Sequence, residues 1–382
     1  MPAHAVVQAL HPRPLVMAHY LPWYESKLVS GQWGWHWTMN HFDPDERDAD
    51  GRQQLASPFR PLIGAYDSSD PELLECHVLQ MKMAGIDGVF IDWYGMFDLY
   101  DYAVVHRNTQ RIIDACSSVG LNFSILMEDQ IVPRLLKAGV CSADEYAISA
   151  FDWLNAEWFK LPGYLHWSGR PVLLLFGPQL YDDAAMERHF GGDIALFTLL
   201  RKQGPAVGAF GWPGPQVGEQ KSWIELQSFY ERAKSWSASI AVAYPRFRDI
   251  YRQAGAGVSH GEIGDQSGQT WRRSLSLGIA SKAPFIQLAT WNDWGEGTQI
   301  EPSEEFGYRD LELLQKYRRE ADPTFPYAPS DLRLPAELYR LRKEGAPCKA
   351  LDLAAHELRV AQSAKAAATL SSISEDPLEL RA

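Results

Sequence analysis

Residues 290–302 read Thr-Trp-Asn-Asp-Trp-Gly-Glu-Gly-Thr-Gln-Ile-Glu-Pro. The segment follows Pro284 to Thr290, an apolar run of strand composition. Within six residues of its end come an amide, Asn292, two carboxylates three apart, Asp293 and Glu296, and two tryptophans, Trp291 and Trp294. Gly295 and Gly297 leave the backbone free to turn sharply. One carboxyl group that protonates a departing oxygen and a second that acts on the opposite face of a ring are what cleavage of a glycosidic bond requires. The competing reading is structural: Asp-x-x-Glu is also a helix-capping pattern. The strand end and the flanking indoles favour chemistry at Asp293 and Glu296.

Other segments supply residues of the types that line a sugar site, where flat apolar faces with polar tips suit pyranose rings. Tyr24 follows the first apolar run, and Trp35 and His36 lie in the loop Trp33-Gly-Trp-His-Trp-Thr-Met-Asn-His41. Asp92, Trp93 and Tyr94 close a second run, Glu128 a third, and Tyr244 a later one. With Trp291, Asn292 and Trp294 they form the expected substrate-binding set. Each also has a bland alternative: an indole in the core, or an acid that ties down a loop. No GxSxG elbow, no phosphate-binding loop with lysine and no HExxH spacing occurs, so neither a metal nor a cofactor is expected.

The elements that must position these residues alternate between two kinds. Short strand-like runs are Leu15 to Tyr20, Ile86 to Asp92, Asn122 to Met127, Pro171 to Phe176, Ala206 to Phe210, Ser239 to Ala243 and Pro284 to Thr290. Helical patterns lie between them: Pro71 to Met83, with Asp70 as N-cap and Gly85 as stop, then Tyr102 to Val119, Ala143 to Phe159, Asp182 to Arg201, Trp223 to Lys234 and Thr270 to Ser281. The reading is α/β, a (β/α)8 barrel with seven strands placed and the eighth unassigned. Chemistry-capable residues at the end of nearly every strand argue for the barrel over a doubly wound sheet. Gly255 to Gly268 reads as a long polar loop. Residues 1–326 are expected to form the barrel. Residues 327–382 are read as a helical appendage (Leu334 to Glu344, Leu351 to Ala368) with a frayed end from Ser371.

Across 382 residues the net charge is −12, without a lysine- or arginine-rich block, which argues against a nucleic-acid partner. No apolar run approaches ~18 residues, so no membrane span is expected. Met1-Pro2-Ala3-His4-Ala5 does not resemble a secretory leader. The four cysteines are scattered without metal-type pairing, and the reading is a cytoplasmic protein. Nothing in the sequence speaks to oligomeric state.

Ala18-His-Tyr-Leu-Pro-Trp-Tyr24, Gly88-Val-Phe-Ile-Asp-Trp-Tyr-Gly95, Ser168-Gly-Arg-Pro-Val172 and the 291–302 segment resemble glycoside hydrolase families 71 and 99. The likeness runs in order over roughly residues 15–310. It implies a retaining (β/α)8 hydrolase of an α-linked glycan, in which a carboxylate helps the sugar's own 2-hydroxyl displace the leaving group. By position Glu296 matches the general acid/base. Asp293 matches the assisting carboxylate, where family 99 has Glu, one methylene longer. The family's Pro-Gly-Tyr appears here as Pro245-Arg246-Phe247, without the tyrosine hydroxyl. Tyr24, Trp93, Tyr94 and Glu128 match positions that line its sugar subsites. Two other readings remain open: an enzyme or accessory of surface-polysaccharide assembly, and a carbohydrate-binding protein that has lost catalysis.

Overall fold

A computed structural model describes residues 13–346 and 348–375. Eight parallel strands close into a ring: β1 (Leu15–Tyr20), β2 (Gly88–Trp93), β3 (Asn122–Met127), β4 (Arg170–Leu175), β5 (Ala195–Leu199), β6 (Gly208–Phe210), β7 (Ile240–Ala243) and β8 (Phe285–Leu288). Leu15 of β1 stands opposite Phe285 of β8, and Ile125 of β3 opposite Leu173 of β4, so no barrel edge is left open. Helices follow seven of the strands: Pro71–Ala84, Tyr102–Val119, Ala143–Trp153, Asp183–Phe190, Glu219–Ala233, Gln269–Ala280 and Arg309–Ala321. Only β5 runs to β6 without one. The fold is the expected (β/α)8 barrel.

The strand that sequence reading did not place is β5. The helix expected from Asp182 to Arg201 stops at Phe190, and Ala195–Leu199 pairs with β4 and β6. Asp70 caps the first long helix by accepting the Glu72 amide, and Gly85 ends it with φ of 84°, both as expected. Gly255 to Gly268 is more ordered than a loop, because Glu262–Ile263 pairs antiparallel with Phe247–Arg248.

Strand alternation sorts the side chains. Met17, Phe90, Leu126, Leu174, Phe197 and Phe285 fill the barrel interior, and the intervening residues face the helices. With a period of two, Phe90 inside puts Asp92 inside at the upper rim and sends Trp93 outward. Leu126 likewise carries Glu128 to the inner rim.

Past the barrel, Leu334–Lys343, Cys348–Arg359 and Ser363–Glu375 are helical. The single helix expected over Leu351 to Ala368 is divided, with Ala361 in the left-handed region (φ 59°) at the break. The first two dock on Pro71–Ala84, and Ser363–Glu375 packs on them. Glu75 accepts from Arg342 (2.9 Å) and Arg359 (2.6 Å), and Lys343 pairs with Asp70 (2.6 Å). Leu338, Leu341, Leu351 and Leu358 join the core that surrounds the barrel, so the segment after 327 adds to one core. Both Met1 to Ala5 and the last part of the C-terminal end lie outside the described residues.

Candidate active site

The turn after β8 carries the two carboxylates. Asp293 Oδ1 accepts the Glu296 amide (2.9 Å), half of the capping pattern, but residues 293–297 form a turn and no helix follows. The other half is missing: the Asp293 amide donates to Thr290 Oγ1 (2.8 Å), so the Glu296 side chain is free to point elsewhere. Gly297 has φ of 63°, and a Cβ there would sit 2.7 Å from the Arg248 carbonyl oxygen. Glycine is what lets the turn close. The loop after β7 braces it from outside, with the Arg248 amide donating to the Glu296 carbonyl (2.8 Å) and the Ile250 amide to that of Gly295 (3.0 Å).

That loop also supplies a residue the sequence reading missed. The Tyr251 hydroxyl donates to Glu296 Oε1 at 3.3 Å. Tyr251 sits in no recognisable motif, and its only sequence signal is its place past a strand end.

The acids around this turn are unequal. Burial pushes the Asp293 carboxyl up to about 6, opposed by the Glu296 amide and by the electrostatic influence of His36. Burial raises Glu296 well above the ordinary range, and the neighbouring Asp293 charge raises it further. Burial likewise lifts Glu128 to about 7. It raises Asp92 strongly too, with Glu128 as the next contributor. A pair that splits into one ionised and one protonated carboxyl is what acid catalysis beside a carboxylate needs. Asp92 Oδ1 is buried with no hydrogen-bond partner among the described residues, and buried oxygens of this kind are normally satisfied.

The structure divides the expected site residues. Asp92, Tyr94 and Glu128 gather at the inner rim, close enough to influence one another's protonation. His36 stands beside them, its ring stacked on Trp23 at 3.9 Å and its Nε2 paired with Asp101 (3.1 Å), and Trp35 lies at the outer edge.

Six others are built into the scaffold in this structure, for identifiable reasons. Trp93 faces outward by alternation; it is fully buried against Trp158, and its Nε1 donates to His106 (3.2 Å). Tyr244 stacks on Trp223 of the outer helix Glu219–Ala233. Trp291 is fully buried against His77. Asn292 spends its side-chain amide on the Leu21 backbone, accepting at 2.9 Å and donating at 3.0 Å. Trp294 donates to the Tyr66 hydroxyl (3.0 Å). Tyr24 is also buried, its hydroxyl bound to the Asn292 carbonyl (2.9 Å) and the Trp294 amide (3.1 Å), beneath Asp293 rather than open to a ligand.

Arg246, in the segment Pro245-Arg246-Phe247, makes no hydrogen bond to the turn's carboxylates. Its guanidinium pairs with Asp310 and Asp265 and donates to the Gln299 carbonyl (2.8 Å).

Residues 13–132 match the family described as glycosyl hydrolase family 99. Among the relatives is the human glycoprotein endo-alpha-1,2-mannosidase-like protein, 35% identical over 336 residues that span 78% of this chain and 70% of the relative. The chain belongs to glycosyl hydrolase family 99. Rat glycoprotein endo-alpha-1,2-mannosidase is 33% identical over 75% of this chain and 67% of its own length. A solved family 99 structure, the endo-alpha-mannosidase of Bacteroides thetaiotaomicron, superposes with a TM-score of 0.61 over 81% of this chain and 97% of that one, at 18% identity, a likeness of fold. As a family 99 member the protein is a glycoside hydrolase. No helix among its described residues is long and apolar enough to cross a membrane.

Proposed function

We propose that the protein hydrolyses an α-linked mannose-containing glycan with retention, using Glu296 as acid/base and Asp293 as the carboxylate that engages the sugar's 2-hydroxyl. One observation carries this reading: a single turn presents both acids, with Glu296 raised above Asp293 and its oxygen hydrogen-bonded to Tyr251. The names of the human and rat relatives support mannose as the sugar.

In the first step Glu296 gives its proton to the glycosidic oxygen as the C1–O bond breaks. Asp293 accepts the proton of the 2-hydroxyl, whose oxygen closes on C1 to form a 1,2-anhydro sugar. In the second step Glu296, now a carboxylate, takes a proton from water as that water attacks C1. The epoxide C1–O2 bond opens, and O2 recovers its proton from Asp293. Two displacements at C1 return the original anomeric configuration.

Because Asp is shorter than Glu and holds the Glu296 amide, its carboxylate lies close to the turn, which supports a sugar seated deep against residues 293–296. The cytoplasm is the compartment we favour, supported by cysteines that remain unpaired thiols, two of them buried.

Incubation with a panel of α-linked manno- and gluco-oligosaccharides, with products identified by mass spectrometry, is expected to show release from α-mannosides. The rate should follow a bell. It rises as Asp293 ionises, with its raised value near 6 placing the acid limb there, and falls at higher pH as Glu296 loses its proton. Absence of release from every α-mannoside would overturn the substrate reading, and a rate still climbing at pH 9 would overturn the acid assignment.

A further inference from the structure

An aromatic wall continues from the carboxylates out to solvent. At its inner end Tyr94 stacks on Trp23 (6.3 Å, 29°), and Trp23 stacks face to face on His36 (3.9 Å, 6°). There the wall divides around the His36–Asp101 pair. On one side Trp35 stands edge-on to His36 (5.0 Å) and is 42% exposed. On the other, Tyr94 meets Tyr102 (5.2 Å), and Tyr102 meets Tyr100 (5.8 Å), which is 73% exposed.

Single exposed aromatic residues are ordinary on protein surfaces. Two features set Tyr100 apart. Its backbone is left-handed, φ 54°, a conformation unfavourable for a bulky side chain, and it is used here to hold a phenol ring out in water. Its neighbour Asp101 holds the His36 ring (3.1 Å), which lies near enough to Asp293 to act on it electrostatically.

We infer that Tyr100 and Trp35 form an outlying subsite that stacks on a sugar ring of the same glycan, remote from the bond being cleaved. The occupant is a pyranose because a chain of ring contacts leads from Tyr94 to two exposed flat faces with polar tips, the kind of surface that stacks on a sugar. The consequence is a preference for longer chains. This inference rests on the glycan-hydrolase reading above.

Titration calorimetry of α-1,2-linked mannobiose and mannotetraose, and of the α-1,3-linked gluco-oligosaccharides of the same lengths, tests it. The wild type is expected to gain affinity with length in the mannose series. Tyr100→Asn keeps a residue that tolerates left-handed backbone while deleting the ring, and should reduce the tetraose-to-biose affinity ratio about 5-fold. Tyr100→Trp should keep that ratio. No gain with length in the mannose series, or an equal ratio in wild type and Tyr100→Asn, overturns the subsite. If the tetraose is cleaved while affinity is indifferent to length, the hydrolase reading stands and the platform falls. Length-dependent binding without any cleavage leaves the platform and defeats the hydrolase reading.

Discussion

Glu296→Gln is expected to lower kcat on a natural glycan by ~10²–10⁴-fold, the range that a positioned general acid contributes. The amide keeps the size and shape of the side chain and can still receive the Tyr251 hydroxyl, so the turn and its bracing by the Arg248 and Ile250 amides should survive. What is lost is a proton to give. Aryl glycosides with good leaving groups need little protonation in the first step and should be affected far less. That contrast separates lost acid catalysis from a damaged site, which would depress both substrates together. Steady-state kinetics on the two substrate types is the measurement. Wild-type rates on the natural glycan would remove Glu296 from the acid role.

Trp93→Ala is expected to destabilise the fold by ~3–5 kcal/mol, as deletion of a fully buried large side chain does. The indole is enclosed by Trp158 and by His106 of the helix Tyr102–Val119, and its removal also leaves the His106 nitrogen without its donor. Denaturant unfolding should show the loss, with KM unchanged in whatever protein folds. The milder Trp93→Phe should lose less stability and also leave KM unchanged. Unaltered stability together with a large rise in KM would return Trp93 to the cleft.

Trp93 also shows how far the sequence could be read. Its place at a strand end was legible, and so was its family match. The side it faces was not, because facing depends on which parity of β2 points into the barrel, and that is decided by Phe90 packing among the interior residues of seven other strands. Asp92 and Trp93 are neighbours with opposite fates for this reason alone.

The same limit hid β5. Ala195–Leu199 is apolar except for Thr198 and buried for nearly all its length, so it shows no regular alternation, and a short buried strand then looks like the end of the preceding helix. Gly191-Gly192 was the one local mark of a break. The carboxylate pair and its turn were legible because short-range chemistry determines them: an aspartate that caps its own turn and a glycine forced to positive φ. Asn292, Trp291 and Trp294 lie in the same motif, yet they serve to fasten it. Asn292 clamps the Leu21 backbone after β1, a contact between residues 271 apart in sequence.

The central claim is that Glu296 and Asp293 cleave the glycan by two successive displacements at C1. Proton NMR of the reaction from its first minutes, before mutarotation scrambles the anomers, tests it most directly. Retention predicts that the α-anomer of the newly freed reducing sugar appears first and the β-anomer only later, at the rate of mutarotation. A first-formed β-anomer would mean a single displacement by water and would contradict the roles assigned to both carboxylates.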